Sequence, residues 1–135
     1  ETCMEAAQTG HLVLSTLHTT GAVKTMGRIL EMYPRENHPA VLNRLSEILI
    51  FIHSQGLLSG VDGRVLTYEF LQNNDDATSS AIGSYDRGSR ALEDVIKRSG
   101  NIAWDDKLVS LLNEGKISQE TFENARIHRE DTEYV

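Results

Sequence analysis

The sequence predicts an α/β fold in which one strand and one β-hairpin are joined by helices and followed by a helical part. Three observations support this class. The nearly continuous apolar run at residues 11–17 is typical of a strand buried on both faces. Asp62-Gly63 lies between two runs of β-forming residues, which favours a hairpin with a type I′ turn. Residues 91–125 place apolar side chains at the spacing of amphipathic helices.

The first elements follow from their start and stop signals. Residues 2–8 favour a helix that ends at Gly10, a residue type that suits the position after a helix. Thr20 can cap a second helix over residues 22–32, before Pro34 stops it.

A longer helix is predicted over residues 39–54, because apolar residues recur there at helical spacing. Asn37 or His38 can cap it. The hairpin strands are then expected at Leu57–Val61 and Arg64–Phe70.

The second half is predicted to be helical. Residues 72–80 are polar and rich in turn formers, which indicates a subdomain boundary. Helices are expected over residues 91–96 and 104–112, and a third begins after Ser118. The charged residues 126–135 predict a frayed end.

Composition limits the function. The 135 residues suffice for one ordinary domain or two small units. The net charge of −7 argues against direct binding to a nucleic-acid backbone, and residues 71–135 carry thirteen acidic against eight basic side chains. The single cysteine, Cys3, excludes an internal disulfide, fits a reducing compartment and is expected in the core. No apolar run approaches the roughly 20 residues that span a bilayer.

The candidate reactive residues lie around the first strand. His18 follows its carboxyl end beside Thr16, Thr19 and Thr20, where open α/β sheets bind ligands. Its imidazole could donate to a phosphate or hold a water. His11 begins the strand at an odd spacing from His18, so the two should point to opposite faces. Alternatively, both histidines are simply accommodated at strand ends.

No metal site is expected. Cys3, His11 and His18 contain no close ligand pair of the kind found in structural zinc sites. The adjacent acids that begin at Asp75 and Asp105 are explained by a turn and by the first turn of a helix. The chain contains no G-x-x-x-x-G-K-[ST], G-x-S-x-G, H-E-x-x-H or C-x-x-C motif.

An ordered string of motifs resembles the histidine box of the secretion ATPase superfamily, the hexameric motors of type IV pili and of type II and type IV secretion. It comprises TGHLV from Thr9, TLHT from Thr16 and the pair Arg28-Ile29. The resemblance continues over residues 45–70 and 103–125. Within the superfamily it is nearest to the pilus-retraction branch and its relatives, the DotB- and TraJ-type ATPases.

The resemblance implies an architecture. Residues 1–71 would be the C-terminal part of a RecA-like P-loop ATPase core that ends in the β-hairpin. Residues 72–135 would be an all-helical C-terminal subdomain. In the family, the phosphate loop and the Walker B glutamate precede the histidine box. Neither is in this sequence, so the chain is expected to be a C-terminal fragment of a longer protein.

The resemblance also implies site residues. His18 is the expected catalytic residue, near the γ-phosphate. Five others are expected near the nucleotide or at a subunit interface: His11, Thr16, Thr19, Arg28 and Gln55. Arg28 could instead cap its own helix, and Gln55 could make a solvent or core hydrogen bond.

Cofactors and partners follow from the same resemblance. ATP and Mg²⁺ are expected in the complete protein, with none bound to this chain alone, which should have no ATPase activity. The partners would be identical subunits in a hexamer and inner-membrane platform proteins, at the cytoplasmic face of that membrane. The rival interpretation is a non-catalytic assembly module of a secretion complex, whose acidic helical half docks to another subunit or to an inner-membrane platform.

Overall fold

In a computed structural model of the chain, which describes residues 2–98 and 100–127, helices pack against one face of a single antiparallel hairpin. The elements in chain order are α1 Thr2–Gln8, α2 Ala22–Leu30, α3 His38–Ile48, β1 Phe51–Gly60, β2 Gly63–Gln72, α4 Asp76–Gly83, α5 Arg90–Ile96, α6 Trp104–Asn113 and α7 Gln119–Ala125. Short 3₁₀ helices occupy Arg35–Asn37 and Tyr85–Arg87. Within the described ranges, no helix is long and apolar enough to cross a membrane.

The two strands pair in register from Phe51 opposite Gln72 to Gly60 opposite Gly63. Because strand side chains alternate, each strand has a buried and an open face. The buried face carries the directly opposed pair formed by Ser54 and Glu69, each 5% exposed. The open face carries large exposed side chains: Phe51, Leu57 and Leu66.

Two hydrophobic clusters meet at the hairpin. The larger cluster joins α1 to α5 with the open end of the hairpin, and its most buried side chains include Met26, Leu42 and Ile82. The smaller cluster is built by α6, α7 and the tip of the hairpin. The larger cluster takes residues from both sides of position 72. The division into residues 1–71 and 72–135 stays a prediction.

Several local predictions are confirmed. α1 has the predicted bounds and is followed by Gly10 in a left-handed conformation, φ 93°. The three predicted C-terminal helices are present as α5, α6 and α7. Ser118 Oγ caps α7 by accepting from Thr121 N at 3.2 Å. Asp75, expected in a turn, instead caps α4, a helix that the sequence analysis does not predict, by accepting from Thr78 N at 2.8 Å.

The predicted strand over residues 11–17 is not formed. This segment is irregular, and the side chains of Leu12 and Leu14 are 75% and 77% exposed. A strand buried on both faces needs neighbouring strands to pair with. In the described part of the chain the only ladder is the one between β1 and β2, so the segment has no partner.

The helix predicted over residues 39–54 ends at Ile48, and β1 begins at Phe51. The apolar residues around this boundary fit both helical and strand periodicity. In the structure the burial alternates as in a strand, with Ile52 and Ser54 buried and His53 exposed. The hairpin is therefore longer than predicted at its open end.

The turn of the hairpin is not type I′. That type needs a positive φ at both central residues, yet no non-glycine residue in the described part has one. The left-handed residue is Gly63, φ 88°, which follows Val61 and Asp62. Gly60 pairs directly with Gly63, so the loop consists of Val61 and Asp62 and lies one residue earlier than predicted.

Three smaller predictions are also wrong. Cys3 is exposed, and Met4 is the residue of α1 that enters the core. The second helix ends at Leu30. Thr20 does not cap that helix, whose N-cap is Gly21 and which lacks a cap from its own segment. Residues 128–135, most of the predicted frayed end, lie outside the described residues.

Candidate functional site

The candidate site is the loop at residues 9–20 together with the amino end of α2. At its start the loop is anchored to α1. Thr9 Oγ1 lies 3.1 and 3.0 Å from the carbonyl oxygens of Glu5 and Ala6, and its single proton can donate to either. His11 Nδ1 lies 3.2 Å from Ala6 O. Ala6 O also accepts the backbone N–H of His11 at 3.1 Å, so His11 is tied to the end of α1 through this carbonyl.

At its other end the loop is fixed to α2 by two hydroxyls. Thr25 Oγ1 donates to Gly21 O at 2.8 Å. Thr19 Oγ1 lies 2.8 Å from Thr25 Oγ1. Because a hydroxyl has one proton, and that of Thr25 is used, Thr19 is the donor to Thr25. This relay holds the backbone on the C-terminal side of His18.

His18 itself is exposed. In the described part of the chain its ring makes no hydrogen bond and no ion pair, so both nitrogens are open to a ligand or to solvent. Thr16 is likewise exposed. The imidazole and the hydroxyl can offer hydrogen-bond donors to an anionic ligand.

The first amide groups of α2 are bound by the buried face of the hairpin. Gly21 N donates to Ser54 Oγ at 3.0 Å, and Ala22 N donates to Glu69 Oε1 at 2.7 Å. The other carboxylate oxygen, Oε2, accepts from Trp104 N at 3.1 Å. One buried carboxylate therefore accepts from the amino ends of both α2 and α6.

Gly21 is required for this close approach. Its φ of 89° is a conformation that residues with a side chain rarely adopt. A Cβ there would lie 3.2 Å from Ile127 Cδ1 and 3.4 Å from Glu69 Oε1. The loop thus meets both the hairpin and the chain that follows α7.

A cavity of about 390 Å³ lies where α2, α5 and α6 converge. Both signs of charge line it: Lys24, Lys97 and Arg126 are basic, and Glu69, Glu93, Asp105 and Asp106 are acidic. Among the described residues, no group of three or more His, Cys, Asp or Glu side chains could hold a metal ion.

The remaining predicted residues lie elsewhere on the surface. Arg28 pairs with Glu31 of the next turn at 2.8 Å, and both side chains are more than half exposed. Gln55 is exposed on the open face of the hairpin, opposite Tyr68. Within residues 2–98 and 100–127, no hydrogen bond or ion pair joins His18 to Arg28 or Gln55.

Sequence reasoning missed Ser54 and Glu69. Their roles depend on contacts 33 and 47 residues away along the chain. One local signal was present. The residues two positions before and after Glu69 in β2 are buried, so Glu69 lies on the buried face of the strand. A charged residue on such a face needs hydrogen-bond partners of its own.

The family model described as "Type II/IV secretion system protein" matches residues 1–131. A twitching motility protein of Neisseria gonorrhoeae is 37% identical over 119 residues, which cover 87% of this chain and 32% of that protein. The type IV pilus ATPase PilU of Pseudomonas aeruginosa is 34% identical over 128 residues, covering 90% of this chain and 32% of that protein.

The fold is similar to solved structures as well. The pilus retraction motor PilT with bound ADP superposes with a TM-score of 0.83 at 32% identity, covering 99% of this chain and 38% of that one. The ATPase DotB of Legionella pneumophila gives 0.77 at 25% identity, covering 90% of this chain and 33% of that one. This chain spans about a third of the length of these relatives.

These similarities confirm two predictions, the resemblance to the secretion ATPase superfamily and the α/β fold class of its C-terminal portion. The histidine box, the hairpin and the helices after it all lie within the matched residues. The chain belongs to the type II/IV secretion system protein family.

Proposed function

We propose that this chain is the C-terminal portion of a hexameric ATPase that powers a type IV pilus or a type IV secretion or conjugation system. The family match over residues 1–131 and the similarity to a pilus retraction motor with bound ADP support this. The relatives are about three times as long. The phosphate-binding loop would then come from a segment that precedes this sequence.

The observation that carries the proposal is the setting of His18. Its ring is exposed and without a protein partner in the described part, while the residues that follow it are fixed to α2 by Thr19 and Thr25. A free imidazole on a fixed backbone is suited to sense or bind the γ-phosphate of a nucleotide. We assign His18 as the catalytic residue.

The other predicted site residues are assigned roles according to their exposure and their hydrogen bonds. Thr16 is exposed beside His18 and could donate to phosphate oxygens. Thr19 supports the loop through its own hydrogen bond. We place His11, Arg28 and Gln55 at subunit interfaces, because each is exposed and lies outside the Thr19–Thr25 relay.

ATP with Mg²⁺ would be the cofactor of the complete protein. ATP supplies the phosphoryl group, and Mg²⁺ neutralises its charge. The exposed imidazole and hydroxyls of the loop fit phosphate oxygens, which accept hydrogen bonds. The lysine and the backbone amides of a phosphate loop, which provide most of the affinity, are not in this sequence. The 135 residues alone should therefore not hydrolyse ATP.

The proposed partners are identical subunits and the platform proteins of an inner-membrane machine, with the motor at the cytoplasmic face of that membrane. The exposed Leu12 and Leu14, 75% and 77% accessible, support burial of this loop against another segment or subunit. The same exposed surface favours the second candidate, a non-catalytic assembly module. That module would bind its subunits without responding to nucleotide.

The test uses the longest reading frame that contains this sequence. An in-frame G-x-x-x-x-G-K-[ST] upstream is expected, and its absence would overturn the ATPase proposal in favour of the assembly module. If the motif is found, the complete protein is purified and its ATPase rate and oligomeric state are measured with and without ATP. His18→Ala should lower kcat by roughly a hundredfold or more.

His53→Ala is the matched control, since His53 is an exposed histidine on the open face of the hairpin. It should leave kcat unchanged. Equal rates for the parent and the His18→Ala protein would remove His18 from the catalytic role. ATP turnover by the isolated 135 residues would contradict the expected inactivity of this chain.

A further inference from the structure

We propose that Glu69 is a positioning residue that joins the loop carrying His18 to the α6–α7 unit, defined as residues 104–127. This goes beyond the proposed function, because it assigns a role to a residue outside the histidine box. It rests on the proposed function only in taking His18 as the residue whose position matters.

The geometry of the carboxylate supports this role. Each of its two oxygens accepts a backbone N–H from a different helix, Ala22 N at 2.7 Å and Trp104 N at 3.1 Å. The two donors are far apart in sequence, and Glu69 is 5% exposed. A single side chain therefore sets the distance between the amino ends of α2 and α6.

The charge of Glu69 is compensated by these helix ends. Among the described residues it forms no ion pair with Lys or Arg. The amino end of a helix carries a partial positive charge, and two such ends converge on this carboxylate. Hydrogen bonds to an ionised acceptor are stronger than neutral ones. A neutral amide at this position cannot replace the arrangement, because its NH₂ group would face one of the two N–H donors.

Direct contacts reinforce the joint. Ser54, opposite Glu69 in the hairpin, accepts from Gly21 N at 3.0 Å. A Cβ at Gly21 would lie 3.2 Å from Ile127, whose own N–H donates to Asp105 Oδ1 at 2.9 Å. The residue three positions after His18 thus lies against the α6–α7 unit. Displacement of that unit would be transmitted to the loop through Glu69.

Amide hydrogen exchange of the 135-residue chain, without nucleotide, tests this joint. The Glu69→Gln variant should raise the exchange rates of the Ala22 and Trp104 amides by roughly tenfold to a hundredfold relative to the amide of Leu42. Leu42 lies in α3 within the larger cluster and reports overall stability. Glu93→Gln is the control, since Glu93 lines the same cavity but accepts from Ser89 Oγ at 3.1 Å.

The outcomes separate positioning from plain stabilisation. Faster exchange at Ala22 and Trp104 together, with Leu42 and the Glu93→Gln variant unchanged, is the expected result. A uniform increase that includes Leu42 would mean that Glu69 only stabilises the fold, and the proposal would be overturned.

Ser54→Ala provides a milder second variant if Glu69→Gln does not fold. It removes the acceptor of Gly21 N and should raise exchange at Trp104 as well as at Ala22. A change confined to Ala22 would refute transmission through Glu69. Because no nucleotide is present, failure here leaves the ATPase proposal standing, and failure of the His18 test leaves the joint standing.

Discussion

Gly56→Ala should destabilise the protein, although Gly56 has no positive φ and its backbone suits alanine. Gly56 lies on the buried face of β1, next to the indole of Trp104. An added Cβ would lie 2.9 Å from Trp104 Cη2 and 3.6 Å from Cζ2. Ordinary carbon–carbon contacts are about 3.5–4.0 Å. The ring would have to move by roughly 0.6 Å to restore the shorter contact to that range.

The side chain of Trp104 cannot move freely, because the residue is held at two points. The indole Nε1 donates to Ala125 O at 2.8 Å, and the backbone N of Trp104 donates to Glu69 Oε2 at 3.1 Å. Trp104 is also 5% exposed within the smaller cluster. Overpacking in such a setting costs about 1–3 kcal/mol. For a domain of this size the loss should lower Tm by about 3–10 °C.

Gly83→Ala is the matched comparison. Gly83 lies in α4, where a Cβ would meet Ser46 Cβ at 3.7 Å, an ordinary contact. Alanine has the higher helix propensity, so this variant should gain about 0.5–1 kcal/mol. Urea unfolding followed by fluorescence measures both variants, and Trp104 is the single tryptophan. An unchanged or raised stability of Gly56→Ala, with an unshifted emission spectrum, would refute the packing argument.

Two further predictions concern pH. Hydrogen bonds from Thr78 hold the pKa of Asp75 below its ordinary value of 3.8. The stabilisation by this cap is therefore present above that value and lost as the pH falls through the lower folded-state pKa. The urea midpoint of unfolding should fall less at acid pH in Asp75→Asn than in the parent protein. An equal fall in both proteins would contradict a contribution from this cap. Burial, with a smaller effect of the Glu31 charge, raises the pKa of Tyr85 above its ordinary value of 10.0. The contribution of Tyr85 to folding stability is therefore present below pH 10 and lost as the pH rises further. Tyr85→Phe loses the hydrogen bond to Val23 O and should cost about 0.5–1.5 kcal/mol at neutral pH. It should also reduce the alkaline loss of stability, and a full alkaline loss in that variant would exclude Tyr85 as its source.

The elements that the sequence predicts well have strong local signals. α5, α6 and α7 combine helical spacing with end signals such as Ser118, and the Asp62-Gly63 pair marks the hairpin, although the loop itself is Val61-Asp62. Their formation depends on interactions between residues a few positions apart. Local chemistry is therefore sufficient to place them.

The predictions that fail depend on distant partners. Residues 11–17 have the composition of a buried strand, but pairing requires another strand. The boundary between α3 and β1 falls within a continuous apolar run that either element could use. Ser54 and Glu69 act on residues far away in sequence. Thr19, which the sequence analysis named, does hold the loop to α2, whereas Ser54 and Glu69 could not be identified.

The central place of the hairpin has a consequence for the order of folding. Its two strands are adjacent in sequence, so their pairing closes a short loop and should form early. The contacts of its buried face to Gly21, Ala22 and Trp104 span 33, 47 and 35 residues. Closing these longer loops costs more entropy, and we expect them to form after the hairpin. The helices before and after the hairpin in the sequence would then pack onto a preformed hairpin. The hydrogen bonds of Glu69 to Ala22 and Trp104 would form last.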